Sequence, residues 1–304
     1  MPEMPRPADL PTASEVLTAA VPRQLVHRAA VAETLLTGWH ALGADQFAVS
    51  AQWPRAHQLH VTSDRTAYEP LLVTETVRQS GALLAHAAYE VPLGQRFVLQ
   101  ELRVTTRPEQ LRVGPLPAEP ALTVKVFDVR RRAGRPTAFR YDADVTIGGT
   151  HVAGGHIAVS WTSESVYRRL RGGRTADSVT ALPPPPGLPP GEVARTVPAD
   201  VVLAPPARPG RWQLRVDTAH PVFFDHPLDH VPGMLLLEAA RQAAHALGGA
   251  RCVPVSFHAS FARYAELDLP TWIEAERGPD DQVQVLGIQG DSAVFECRVG
   301  TVAG

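Results

Sequence analysis

The chain has 304 residues, a formal net charge of −2 and only two cysteines, Cys252 and Cys297. That length suits one large domain or two of roughly 100–150 residues, either of which buries enough apolar surface to fold without covalent staples. Two lone cysteines exclude a disulfide framework and a Cys-x-x-Cys pair. The near-neutral charge gives no general pull toward nucleic acid, and no apolar run approaches the ~20 residues that span a bilayer. The opening MPEMPRPADLPTASEV lacks the basic and apolar regions of a signal peptide. The expectation is a cytoplasmic protein with no nucleic-acid and no membrane partner.

In chain order, Leu25-Val-His-Arg28 is followed by a strand-like Gln46-Phe-Ala-Val-Ser50, a loop with His57 and His60, and a helix over 70–86. Alternating runs then predict strands over 96–105, 122–131, 137–147 and 151–161, with turns at Gly134 and at Gly148-Gly149. The Pro-rich ALPPPPGLPPG, 181–191, cannot join a ladder or a helix and divides the chain. Beyond it the order repeats. Glu192-Val-Ala-Arg195 precedes Trp212-Gln-Leu-Arg-Val216, a loop with His226 and His230, a helix over 233–247, and strands over 253–262, 271–276, 282–288 and 293–302.

The spacings support a duplication: Arg28 and Arg195 stand 167 residues apart, His57 and His226 169, Glu75 and Glu238 163. The predicted organisation is therefore a first domain over 1–180, a linker over 181–191 and a second domain over 192–304. In each, antiparallel strands wrap one apolar helix, an α+β arrangement, because a helix apolar on nearly every side must be covered.

Both helices interrupt their apolar surface with the same polar stripe. PGMLLLEAARQAAHALGG carries Glu238, Arg241, Gln242 and His245 on one face, and PLLVTETVRQSGALLAHA carries Glu75, Arg78, Gln79 and His86. Two readings of Glu-x-x-Arg-Gln stay open. In one, Glu and Arg neutralise each other as a structural pair; in the other, a buried Glu tuned by its Arg lines a pocket as base or substrate orienter. Pro232-Gly233 ahead of the second helix favours the latter, since Gly admits a ligand to backbone N–H groups that carry partial positive charge.

Other chemistry is poorly represented. Lys125, the single lysine, lies within a predicted strand, which disfavours Schiff-base chemistry. There is no G-x-S-x-G elbow, Walker loop or strand-linked G-x-G-x-x-G, so no cofactor is expected. His226 and His230, even with His220, lie in a Pro-containing loop without a Cys or carboxylate cluster, so no metal site is expected. Arg168, Arg169, Arg171 and Arg174, with Arg130–Arg132, either dock an acidic carrier protein or are solvated surface charge.

The stretch FFDHPLDHVPGMLLLEAARQ, 223–242, resembles hydroxyacyl-carrier-protein dehydratases, although the loop from His226 to Pro232 is about two residues shorter than theirs. A wider resemblance is to the A-factor biosynthesis hotdog proteins of actinomycetes. It rests on Val26-His-Arg28, Gln52-Trp-Pro-Arg-Ala-His57, Pro70-Leu-Leu-Val-Thr-Glu-Thr-Val-Arg-Gln79 and Phe224-Asp-His-Pro-Leu-Asp-His-Val-Pro-Gly-Met234.

That resemblance implies a tandem double hotdog, a pseudo-dimer within one chain. It also implies an acyltransferase that moves a β-ketoacyl group from an acyl carrier protein or CoA to dihydroxyacetone phosphate, on the way to a γ-butyrolactone signal. By motif it places function at Glu75, Glu238 and Arg241. The expected site is thus catalytic Glu238, Arg241 and Glu75, with Gly233, His226, Arg78 and Gln242 binding substrate. Glu238 would accept the proton of the attacking hydroxyl. The alternatives are a dehydratase or thioesterase on the same fold, or a non-catalytic regulatory binding protein.

Overall fold

Helix α1 (Pro70–Ala87) buries every side chain except that of Arg78, so its surroundings must close round it on all sides. The computed structural model describes residues 19–249 and 252–303; the N-terminal stretch weighed as a signal peptide lies outside them. The chain forms two compact units, Met1–Val98 with Thr106–Tyr167, and Leu99–Thr105 with Arg168–Gly304. Among the described residues no helix is long and apolar enough to cross a membrane.

In the first unit, strands β1 (Leu36–Gly43) and β2 (Gln46–Ala51) precede α1, and β4 (Pro120–Arg132), β5 (Arg135–Ile147) and β6 (Thr150–Thr162) follow it, after β3 (Arg96–Thr106), whose residues 99–105 belong to the second unit. Antiparallel pairing gives the order β1-β2-β4-β5-β6. Leu122, Val124 and Val126 of β4 and Phe139, Tyr141, Ala143 and Val145 of β5 point inward, as the period of two requires. Gly148 and Gly149, both at positive φ, turn β5 into β6. Short helix α2 (Glu164–Leu170) carries the chain onward.

The second unit repeats the plan with β7 (Leu203–Arg208), β8 (Arg211–Leu214), α3 (Gly233–Gly248), β9 (Cys252–Phe261), β10 (Thr271–Arg277), β11 (Gln282–Gln289) and β12 (Ser292–Ala303). Its antiparallel order is β9-β12-β11-β10-β8-β7, and the 101–105 part of β3 pairs with β9. Two N–H groups of the Pro-rich 181–191 stretch hold it on this unit. Leu182 donates to Leu267 O at 2.9 Å and Leu188 to Leu203 O at 2.9 Å.

Predicted helices and strands agree with the observed ones to within about two residues. Two strands escape the sequence pattern, β1 and β7, and each is the outermost strand of its unit's order. In β7 (LAPPAR) the prolines argue against a strand from sequence alone, yet an edge strand tolerates them because one side of its backbone needs no partner. Leu25–Arg28 and Glu192–Arg195 lie at 3₁₀ turns, Arg23–Val26 and Pro190–Val193, each closed by a left-handed residue, His27 (φ 57°) and Ala194 (φ 52°).

Helix and sheet approach closely where glycine stands on β6. A Cβ on Gly155 would come within 2.8 Å of Val77 Cγ1 of α1, whereas one on Gly154 meets nothing within 4 Å. Val77 is β-branched and has little rotamer freedom in a helix. Gly155→Ala is therefore expected to cost about 1–3 kcal/mol by overpacking and to lower the thermal midpoint, while Gly154→Ala leaves it unchanged. Equal melting of the two variants would refute this account of the packing.

Candidate active site

Glu238 is wholly buried in the middle of α3, and an isolated charge there would be prohibitively costly. The turn before β7 supplies its counter-charge. Arg195, next to left-handed Ala194, donates from Nε to Glu238 Oε1 at 2.8 Å and from Nη2 to Oε2 at 2.6 Å. Arg241 adds an Nη1 contact to Oε1 at 3.3 Å and reaches Val193 O and Ala194 O at 3.3 Å each. Gln242 completes the group. Its Nε2 donates to Glu238 Oε1 and to Asp200 O, both at 2.7 Å, and its Oε1 accepts the Val202 N–H at 2.9 Å.

The first unit builds the same cluster round Glu75. Arg28 Nε donates to Glu75 Oε1 at 2.9 Å, Arg78 donates from Nε to Oε2 and from Nη2 to Oε1 at 2.7 Å each, and Gln79 Nε2 donates to Oε1 at 2.8 Å. Gln79 also ties Glu33 O and Leu35 N–H to the helix, as Gln242 ties Asp200 O and Val202 N–H. The two-point grip comes from the helix arginine Arg78 here and from the turn arginine Arg195 in the second unit. Burial pushes the Glu75 carboxyl up, but Arg28 and Arg78, with hydrogen bonds from Arg78 and Gln79, outweigh it and hold the group well below its ordinary value.

A second pair accompanies each cluster, buried in the second unit and half-buried in the first. His220 Nδ1 accepts the Val222 and Phe223 N–H groups at 3.2 Å, which leaves Nε2 to carry the proton toward Asp200 Oδ1 at 3.2 Å. His57 does the same, with Nδ1 accepting from Leu59 and His60 and Nε2 at 3.2 Å from Glu33 Oε1. The counterpart of His57 is therefore His220, 163 residues on, the separation of Glu75 and Glu238. The pairing of His57 with His226 inferred from spacing is corrected: Asp-His pairs recur along the loop, and only the hydrogen bonds identify the equivalent one.

Glu33, His57 and His60 bring ligand atoms within 4.8 Å of one another. Because His57 Nδ1 accepts two backbone N–H groups, its Nε2 holds the proton and offers no lone pair to a cation. His60 stacks on His57 at 4.5 Å as Phe223 packs on His220 at 4.4 Å. The ring is a packing element in both units, and the group does not fit a metal.

The A-factor biosynthesis hotdog domain model matches residues 11–163 and 176–295. The chain belongs to the A-factor biosynthesis hotdog family. It is 49% identical over 292 residues, 94% of this chain and 98% of the other, to a Streptomyces virginiae protein named 2-oxo-3-(phosphooxy)propyl 3-oxoalkanoate synthase. Proteins of the same name from Streptomyces griseus and Streptomyces coelicolor are 41% and 39% identical, each over 90% of this chain and 92% and 89% of theirs. A solved acyl-ACP thioesterase from Bacteroides thetaiotaomicron is similar in fold, with a TM-score of 0.52 at 13% identity over 84% of this chain and 97% of that one. The architecture is thus a double hotdog.

Within that hotdog pair, the two helix starts differ where chemistry would need them. Gly233 is the first residue of α3, and Pro70, 163 residues earlier, is the first of α1. Proline has no N–H, so only α3 offers a donor at that position. A Cβ on Gly233 would approach Phe261 to 3.1 Å, which accounts for glycine there. His226 is partly exposed, with Nδ1 at 2.5 Å from Asp225 Oδ1.

Arg171 and Arg174, weighed above as part of a docking surface, are engaged within the second unit by Asp229, Glu266 and Asp268. Sequence reasoning used Arg28 and Arg195 as landmarks of the repeat and missed their part in the clusters. The signal was their equal placement ahead of each helix.

Because folding holds the Glu75 carboxyl below its ordinary value of 4.5, its contribution is complete above that pH and lost as pH falls through and below it. Urea midpoints are expected to fall as the pH is lowered from 5. Glu75→Gln, which strands Arg28 and Arg78, is expected to lose about 3–5 kcal/mol at neutral pH and to flatten this dependence. An unchanged acid limb in the variant would exclude Glu75 as its source.

Proposed function

We propose that this family member is an acyltransferase that joins a β-ketoacyl group, delivered as a thioester of an acyl carrier protein or CoA, to the hydroxyl of dihydroxyacetone phosphate. The product is a 2-oxo-3-(phosphooxy)propyl 3-oxoalkanoate, a precursor of γ-butyrolactone signals. The observation that carries the reading is identity of 49% over nearly the whole of both chains to a synthase of that name. A protein working on such soluble intermediates fits a cytoplasmic setting.

The reaction forms a C–O bond to the acyl carbon and breaks its C–S bond, so charge develops on the thioester oxygen. Gly233 N–H, at the positive end of α3, is the donor we assign to that oxygen. His226 contacts substrate from the preceding loop. We assign Glu238 an anchoring role in place of the proton-accepting role expected from sequence, because its charge is what balances the buried guanidinium groups of Arg195 and Arg241. Together these residues fix α3 against the 193–202 segment. Glu75 and Arg78 serve α1 likewise.

Incubating the protein with a β-ketoacyl thioester, with and without dihydroxyacetone phosphate, and analysing the products by mass tests the reading. The phosphorylated ester is expected only with both substrates. Release of free β-keto acid independent of the acceptor would indicate hydrolysis, and an unchanged thioester a binding protein; either result overturns the proposal. Gly233→Pro copies the start of α1 and deletes the donor while suiting a helix start. Its kcat is expected to fall by about 10²–10³-fold, with Gly233→Ala measuring the cost of crowding Phe261 separately. Full activity in Gly233→Pro would remove the donor from the mechanism.

A further inference from the structure

His57 to Pro70 and His220 to Gly233 span equal numbers of residues, and the two loops are tied down alike. Tyr68 N–H donates to Leu111 O at 2.8 Å and Val231 N–H to Ala265 O at 2.9 Å. The adjoining bridges are Ala67 with Arg112 and His230 with Glu266. The loops therefore correspond position by position. Where the first has Thr66-Ala67, the second has Asp229-His230.

That substitution is supported by further residues of the second unit. His230 Nδ1 lies 2.7 Å from Asp229 Oδ1 and its ring packs at 4.7 Å on Tyr264. Asp229 is buried and is gripped by Arg171, through Nε to Oδ2 at 3.0 Å and Nη2 to the carbonyl at 3.3 Å. Arg171 also donates to Glu266, from Nη1 to Oε1 at 2.6 Å and from Nη2 to Oε2 at 2.7 Å, and its Cζ lies 4.4 Å from the Tyr264 ring centroid. A carboxylate cannot donate to Nδ1, so Nδ1–H donates to Asp229 and the basic lone pair is on Nε2. His230 precedes Gly233 by three residues, on backbone fixed by its bridge to Glu266.

We propose that His230 is the proton acceptor of the acyl transfer, with Asp229 and Arg171 as positioning residues. This rests on the acyltransferase reading above. As the acceptor oxygen bonds to the acyl carbon, its proton passes to His230 Nε2. When the C–S bond breaks, the proton goes to the leaving thiolate, which departs as a thiol, and the histidine is restored without any other reactant.

The test compares His230→Gln with His156→Gln, which removes a histidine in a similar Asp–His contact on β6, 2.7 Å from Asp142. With wild type forming the ester, His230→Gln is expected to lower kcat by about 10²–10⁴-fold with little change in KM or melting, and His156→Gln to be unaffected. Exogenous imidazole should restore part of the activity of His230→Gly, which a purely structural role would not allow. Asp229→Asn should lower kcat, and the double variant Asp229→Asn/His230→Gln should fall no further than His230→Gln. Unchanged kcat in His230→Gln, or a loss found only in His226→Gln, overturns the proposal. Failure of wild type to form ester overturns the acyltransferase reading instead.

Discussion

A carboxylate at the centre of a helix that is covered on all sides must bring its counter-charge with it, and much of each unit follows from meeting that demand. The guanidinium comes from a turn remote in sequence, Arg28 for Glu75 and Arg195 for Glu238. To present it, the backbone tightens into a 3₁₀ turn and passes through the left-handed region at His27 and Ala194, where an L residue is tolerated at some cost. The glutamine one turn beyond the glutamate then pins the next segment through both ends of its amide, the Nε2–H donating and the Oε1 accepting. One ion pair and one amide thus set the path of the chain from the turn to the first strand, and the helix cannot shift without breaking them.

The duplication separates this anchoring from chemistry. Arg, Glu, Arg and Gln recur as a cluster in both units, with the two-point grip exchanged between the two arginines, as does the His–carboxylate pair beside them. What changes lies on the loop leading to the helix and on the helix's first residue. The first unit has Thr62-Ser63, Thr66-Ala67 and Pro70 where the second has Asp225-His226, Asp229-His230 and Gly233. The first set offers hydroxyls and no helix-start N–H; the second offers imidazoles oriented by carboxylates and a donor at the positive end of a helix.

Much of this was legible in the sequence, for identifiable reasons. The helices announce themselves because fully apolar surroundings leave Glu-x-x-Arg-Gln conspicuous, and the long strands β4, β5 and β6 alternate cleanly. The edge strands did not show: β7 is written with two prolines, and β1 runs from a buried start, Leu36-Thr-Gly38, to an exposed end, Ala41-Leu-Gly43, without alternating. The stripe itself was ambiguous. Periodicity places Glu238 and Arg241 on one face but says nothing of Arg195, 43 residues away, whose guanidinium supplies the two-point grip on the carboxylate. Similarly, a run of nearby arginines could not reveal that Arg171 lies buried between Asp229 and Glu266. Charges that look like surface in one dimension are consumed by acids distant in the chain.

An anchor of this kind still matters to reactivity through rigidity. Gly233 and Glu238 are five residues apart on a continuous helix, so at 1.5 Å per residue the ion pair lies about 7.5 Å along the axis from the first N–H. A helix is stiff over that length, and fixing Glu238 to Arg195 fixes where the Gly233 N–H points. Electrostatic stabilisation of a developing charge depends on donors that are already in place and need no reorganisation. The buried pair contributes little net stability, since desolvating two charges offsets most of their attraction. Its value lies in allowing a single registry of helix against turn, which serves packing in both units and, in the second, fixes the direction of the N–H group we assign to the thioester oxygen.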